Sequence, residues 1–255
     1  MPILTNNNQV LTAGGKVLIR EASPLDLPNL KLYLSATRMP QYADGTAIPS
    51  FLDYSGNNYN ATQASGTLQP KFEINEFGTN AGIKGDGVDD IMDVLTPSAL
   101  DVFRNINQFT VQCLIKRSVI SASGYPLNVF DNSGTLFRFI VFFTTSGNLT
   151  VGHKTLDSDI RSDITTPSND LLPHFLQVTL NAGILYMYLD GFYTGSTVVT
   201  SGQSSNTACN KLTLFNATSG TQSNVIINGI SINTLYSDPS TIQAQYRGYL
   251  QRGYL

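Results

Sequence analysis

Four aspartates stand close together at Asp86, Asp89, Asp90 and Asp93, within Ile83-Lys-Gly-Asp-Gly-Val-Asp-Asp-Ile-Met-Asp-Val94. Hard cations take several carboxylate oxygens at once, so one chemistry open to this stretch is a Ca2+ site. The spacing departs from the calcium loop that carries glycine at its sixth position. Gly85 and Gly87 supply turn conformations that other residues avoid, and Asp side chains satisfy the backbone amides of such turns. The residues therefore favour a tied-down turn that leads into an apolar strand, with the cation as the second reading and no cofactor required.

A second set of carboxylates, Asp157, Asp159 and Asp163, lies in the polar stretch between Leu156 and Leu171. Glycoside hydrolysis generally needs two carboxyls flanking the scissile bond. Glutamate occurs only at positions 21, 73 and 76, so a pair in the second half of the chain would have to be Asp and Asp. A solvated loop explains these three residues better. His153 and His174 have no serine in a Gly-x-Ser-x-Gly elbow to serve, and the glycines of Lys84-Gly-Asp-Gly87 precede a strand pattern, not a helix. No catalysis is expected. Cys113 alternates with Phe109, Val111 and Ile115 on one strand face, which suits a buried free thiol. A disulfide to Cys209 would need the two Cα atoms to approach.

Composition narrows the partners. Charged residues are 13% of the 255, about half the usual share, so Asn, Ser, Thr and Gln must solvate the surface. Lys and Arg number 15 against 18 for Asp and Glu, which leaves no basic excess for a nucleic acid. No apolar run is long enough to span a bilayer, and the start has no basic segment followed by an apolar one. Neither membrane insertion nor a secretory signal is expected.

The elements that must position these side chains are mostly strands. Residues 1–24 read as an arm with a small hairpin around Gly14-Gly15, and the prolines at 24 and 28 set the boundary with a single domain over 25–255. Leu30–Leu34 is the first core strand, and Thr46–Tyr54 reads as a second. Residues 96–103 read as a short helix capped by Thr96 with Pro97 at its first position. From Gln108 the apolar alternation predicts strands near 108–117, 126–131, 135–144, 148–154, 172–180, 183–190, 192–199, 211–216 and 224–235. Asn181-Ala-Gly183 and Asp190-Gly191 are hairpin turns, and 157–170 reads as the longest polar loop. Ser237-Asp238-Pro239 starts a helix that places Ile242, Tyr246, Tyr249 and Leu250 on one face, and its expected role is to close the sandwich at one end.

Several segments together resemble a known family. These are Leu32–Ala36, Asp44–Thr62, Gln69-Pro70, Gly85-Asp-Gly-Val-Asp-Asp90 and Leu185-Tyr-Met-Tyr-Leu-Asp-Gly191. In order and spacing they resemble the concanavalin A-like, laminin-G-like sandwiches of bacterial and phage proteins. The resemblance implies an all-β fold: a two-sheet antiparallel jelly-roll sandwich with an N-terminal arm and a short C-terminal helix. Where that family usually carries Trp, this chain has Tyr33 and Phe51, and it has His174-Phe175 in place of a Trp-His pair; Trp is absent altogether.

With the missing signal, the resemblance implies a non-catalytic, lectin-like accessory protein on the surface of a virion, in the head or tail of a bacteriophage. Its arm would hold it to other virion proteins or to copies of itself. Its candidate contacts for a cell-surface glycan are Tyr125, Asp131, Asp157, Asp159 and Tyr193. The alternatives are a carbohydrate-active enzyme or its binding module, and a purely structural assembly protein.

Overall fold

The computed structural model describes residues 29–95, 100–104, 108–120, 122–131, 137–154, 162–199, 208–215 and 224–255, with Asp131 as backbone only. Before residue 29 it describes the backbone of four short strands, Thr5–Asn6 (β1), Gln9–Val10 (β2), Thr12–Ala13 (β3) and Lys16–Val17 (β4). β1 pairs with β2, and β3 pairs with β4 around the Gly14-Gly15 position.

The first part of the domain alternates between two sheets. Leu30–Ser35 (β5) and Thr46–Ala47 (β6) belong to one sheet, whereas Ser50–Phe51 (β7) and Ala61–Thr62 (β8) belong to the other. The expected single strand over 46–54 is thus split. Pro49 cannot donate to a ladder, and the chain crosses from sheet to sheet there, burying Ile48 on the way. Lys71–Phe77 (β9) and Asn80–Lys84 (β10) form a hairpin, and Met92–Val94 (β11) follows the aspartate-rich turn. Of the expected helix at 96–103, residues 96–99 lie outside the described residues, and Asp101–Arg104 is a single 3-10 turn.

Strands then follow the apolar alternation closely: Gln108–Arg117 (β12), Gly124–Asp131 (β13), Phe137–Phe143 (β14), Asn148–His153 (β15), Ser162–Pro167 (β16), His174–Asn181 (β17), Ile184–Leu189 (β18), Phe192–Val198 (β19), Cys209–Leu214 (β20) and Val225–Asn233 (β21). β16 corrects the reading of 157–170 as one long loop. Ser162, Ile164 and Thr166 point inward in strict alternation, but Ile164 is the only large apolar residue among them, so the strand carries little hydrophobic signal.

All ladders are antiparallel. One sheet of nine strands runs β19-β18-β17-β12-β21-β10-β9-β6, with β5 also paired to β21; the other, of eight, runs β16-β15-β14-β13-β20-β11-β8-β7. Their inner faces meet in one core that includes Phe72, Phe103, Phe109, Phe139, Phe143, Phe215 and Met187. Cys113 and Cys209 are both buried and not joined in a disulfide, and burial pushes the Cys113 thiol up to about 12.

Arg117, 1% exposed, fastens one end of the sandwich. Its guanidinium donates to the carbonyls of Ser168, Ile120, Ala122 and Thr144 and lies over the Phe143 ring.

The C-terminal helix, Pro239–Gln251 (α1), starts where the sequence places it, with the Asp238 carboxylate accepting from the amides of Ser240 and Thr241. Its position differs from the expectation. Instead of closing the sandwich end, it lies on the outer face of the nine-stranded sheet, where Tyr249 packs with Phe77, Leu114, Phe175 and Ile226 in a second apolar cluster. Leu114, Phe175 and Ile226 are the outward residues of strands whose inward neighbours fill the main core, and an exposed apolar face needs a cover.

Candidate functional site

Beside α1, the outer face of the nine-stranded sheet carries an aromatic strip. In β18 the alternation turns Leu185, Met187 and Leu189 into the core and leaves Tyr186 and Tyr188 outside. The hairpin turn at Asp190-Gly191 has φ of 52° and 77°, the conformation that two-residue hairpins need. After it, a bulge between Met187 and Tyr188 sets Tyr193 directly opposite Tyr188, with ring centroids 5.7 Å apart at 63°. Tyr193 is 57% exposed, and its hydroxyl donates to Ser196 Oγ at 2.9 Å.

The strip extends in two directions. Burial raises the pKa of Tyr188 above the usual phenol range, helped by the neighbouring phenols of Tyr236, Tyr186 and Tyr193. Tyr236, just before α1, is raised for the same first reason and by Tyr186 and Asp238. Beyond the turn, Phe192 is 68% exposed with its ring 6.4 Å from that of Tyr246 on α1. Gln243 of α1 donates to the Gly191 carbonyl, which locks helix and hairpin together. Tyr186, Tyr188, Tyr193 and Tyr236 therefore share one surface, and Phe192 and Tyr246 meet beside it at the Asp190-Gly191 turn. Neutral phenols in such a row offer flat apolar faces together with hydroxyl donors and acceptors, which suits a polyhydroxylated ligand.

Beneath the turn, His174 sits between two carboxylates. Its Nδ1 is 2.7 Å from Asp190 Oδ2 and its Nε2 is 2.9 Å from Asp170 Oδ1, while Asp190 Oδ1 accepts from the Phe175 amide.

The structure brings only part of the expected glycan contacts together. Tyr193 lies in the strip. Tyr125 is on β13 of the other sheet, where an irregularity between Gly124 and Leu127 turns it outward to stack on Phe142 at 5.6 Å. Tyr125 and Tyr193 thus occupy opposite outer faces of the sandwich and cannot share one ligand. Asp131 pairs with Cys209 along the β13–β20 ladder, and Asp157 and Asp159 lie outside the described residues. Asp163 is exposed on β16. Tyr186, Tyr188, Phe192, Tyr236 and Tyr246 were not among the expected contacts; their signal in the sequence is the outward register of Tyr186 and Tyr188 within Leu-Tyr-Met-Tyr-Leu.

The four aspartates of the opening stretch are also divided. Asp86, Asp89 and Asp90 each place a carboxylate oxygen within 4.8 Å of the others. Asp86 Oδ1 accepts from the amides of Val88, Asp89 and Asp90, at 2.8, 3.2 and 3.4 Å, and Asp90 Oδ2 accepts from the Asp86 amide. Burial raises the Asp90 carboxyl. Asp93 belongs to a different constellation, on β11, where Thr213 donates to one oxygen and Lys211 Nζ stands 3.0 Å from the other.

No protein-family model matches the chain, and no curated protein matches it in sequence. Solved structures match in fold. The botulinum neurotoxin serotype D binding domain aligns with a TM-score of 0.60 at 14% identity, over 86% of this chain and 52% of that one. The binding domain of botulinum neurotoxin DC in complex with SialylT gives 0.62 at 15%, over 87% and 52%. Trypanosoma rangeli sialidase gives 0.62 at 14%, over 87% and 33%. The chain spans about half the length of the neurotoxin domains and a third of the sialidase. At these identities the likeness establishes architecture: the protein is an all-β, two-sheet antiparallel sandwich of the concanavalin A-like kind with one C-terminal helix.

Proposed function

We propose that the protein is a non-catalytic, lectin-like module that binds glycans across the aromatic strip of β18, β19 and α1. The observation that carries this reading is the exposure of Phe192 and Tyr193 at one hairpin edge, with Tyr193 against Tyr188 and Phe192 against Tyr246. Large aromatic side chains left in water at a hairpin edge need a reason, and sugar rings stack on such faces. Among solved structures of similar fold, botulinum neurotoxin binding domains are complexed with SialylT and with N-acetylneuraminic acid, which makes glycans the first class to screen. The non-catalytic part rests on the carboxylates: Asp170 and Asp190 both engage His174, and Glu76 engages Lys116.

The test is titration of the full chain with host-surface polysaccharides, followed by Tyr193→Ala and Phe192→Ala. Each variant should weaken binding about fivefold, the loss expected for one aromatic contact of about 1 kcal/mol. No binding by a folded protein, or unchanged binding in both variants, overturns the reading.

The wider setting belongs to the same proposal: a bacteriophage virion surface, with residues 1–24 holding the domain to other virion proteins or to further copies. Ribbons with two residues per strand, such as β1–β2 and β3–β4, are marginal by themselves and gain from a partner surface. Deleting residues 1–24 should abolish incorporation into particles without unfolding the domain; normal incorporation would remove the arm from the assembly.

A further inference from the structure

At the far end of the same sheet face lies a second feature that the aromatic strip does not use. Cross-strand register places Lys71 opposite Lys84, Lys84 opposite Ile226, and Ile226 opposite Lys116, one row across β9, β10, β21 and β12. Their neighbours Phe72, Ile83, Ile227 and Ile115 fill the main core, so this row faces outward. Three of the chain's seven lysines stand in it. Like charges directly opposite one another oppose folding, so the Lys71–Lys84 pairing does not serve the sheet.

Around this row is a cavity of about 270 Å3 lined by Glu76, Lys84, Lys116, Ser118, Leu171 and Ile226, with Arg117 behind it turned to its carbonyls. Lys116 Nζ is held 2.7 Å from Glu76 Oε2. Lys84 makes no ion pair among the described residues, although Glu73 in the next row senses its charge. The Ser118 hydroxyl is shielded from solvent and has no hydrogen-bond partner among the described residues. An ammonium with no ion pair among the described residues, a carboxylate able to accept from ligand hydroxyls and an apolar floor at Ile226 thus line one space, with the Ser118 hydroxyl beneath its surface.

We infer that this cavity binds a small polyhydroxylated ligand with a single negative charge, of the uronic-acid class, whose carboxylate meets Lys84. Glu76 disfavours multiply charged anions, and the small size limits the ligand to about one sugar ring. The site is separate from the aromatic strip: Lys116 lies four residues along β12 from Gln112, the residue in the row of Tyr188, or about 13 Å. It stands whether or not the strip binds sugar.

Glucuronate and glucose differ only in the carboxylate and make the discriminating pair, with sulfate as the bare-anion control. Titrated into the full-length protein and followed by NMR or calorimetry, glucuronate should bind at least tenfold more tightly than glucose or sulfate. Lys84→Met should remove that advantage while leaving the fold intact, since it relieves a like-charge pair, and Lys84→Arg should retain it. Lys211→Met, which removes a lysine from β20 of the other sheet, outside both sites, should leave glucuronate binding unchanged. Equal binding of glucose and glucuronate, stronger binding of sulfate, no glucuronate binding, or an advantage that survives Lys84→Met would each overturn the inference.

Discussion

His174 Nδ1 stands 2.7 Å from Asp190 Oδ2, and this contact ties the start of β17 to the turn that carries the exposed aromatic edge. Burial pushes the imidazole pKa down, but the hydrogen bonds and charges of Asp190 and Asp170 outweigh it, so the pKa lies above the ordinary 6.5. A group whose pKa is raised by folding contributes stability that is complete below its unfolded value and disappears as pH rises through the folded one. Asp190→Asn should therefore destabilise the domain by about 2 kcal/mol at pH 6, the usual size for a charge-assisted hydrogen bond, and by less at pH 9. Urea melts at the two pH values measure this; equal destabilisation at both would rule out the charged pair.

His153 behaves in the opposite sense. It is wholly buried, its Nδ1 is 2.8 Å from the Arg138 carbonyl, and its ring meets Phe109 edge-on at 5.2 Å. Burial lowers its pKa from 6.5 to about 4, so the folded protein holds it neutral while the unfolded chain takes up a proton. Stability from this residue is intact above pH 6.5 and falls toward pH 4, by about 3 kcal/mol in all. His153→Asn, which keeps a nitrogen near the Nδ1 position, should be less stable at pH 7 but show a flatter decline on acidification. A variant with the wild-type slope would mean that His153 is not the acid-sensitive group.

Much of the fold was legible because alternation and turn chemistry are local. β12 spans Gln108–Arg117 as its pattern indicates, and α1 begins at the Asp238-Pro239 signal. Asp53, read within the strand over 46–54, instead fastens a turn through bonds from the amides of Tyr33, Ser55 and Tyr59. What was not legible depends on which strands meet. The seat of α1 exists only because β12, β17 and β21 bring Leu114, Phe175 and Ile226 side by side. For the same reason Tyr125 and Tyr193, alike as exposed tyrosines in sequence, fall on different sheets.

Gly191 links the fold to the aromatic strip. Its φ is +77°, and a Cβ there would lie 2.7 Å from Tyr246 Cδ1, with the ring packed beneath α1. Gly183, in the preceding turn, has φ +80°, but a Cβ there would meet no atom of the described residues within 4 Å. Gly183→Ala should lose about 1 kcal/mol for the left-handed backbone alone, and Gly191→Ala about 2–3 kcal/mol because Tyr246 must also move. The difference between the two, read from chemical denaturation, isolates the contact. Equal losses would show that Tyr246 gives way freely.

Gln177 and Gln112 face each other across the β17–β12 ladder, both buried on the outer face near α1, yet their surroundings differ. Gln112 accepts from Ser231 Oγ at 3.0 Å and donates to Gln245 of α1, so its amide is answered on both sides. Gln177 is 0% exposed, and among the described residues neither its Nε2 nor its Oε1 has a hydrogen-bond partner. An unpaired buried amide loses its hydration without return, whereas Met fills nearly the same space with no polar atoms. Gln177→Met should therefore stabilise the domain by about 1–2 kcal/mol, while Gln112→Met should destabilise it by a similar amount because Ser231 and Gln245 lose their partner. Opposite signs at two facing residues of the same type separate hydrogen bonding from hydrophobicity. If both substitutions shift the denaturation midpoint in the same direction, the polar layer between the sheet and α1 is not arranged as this geometry requires.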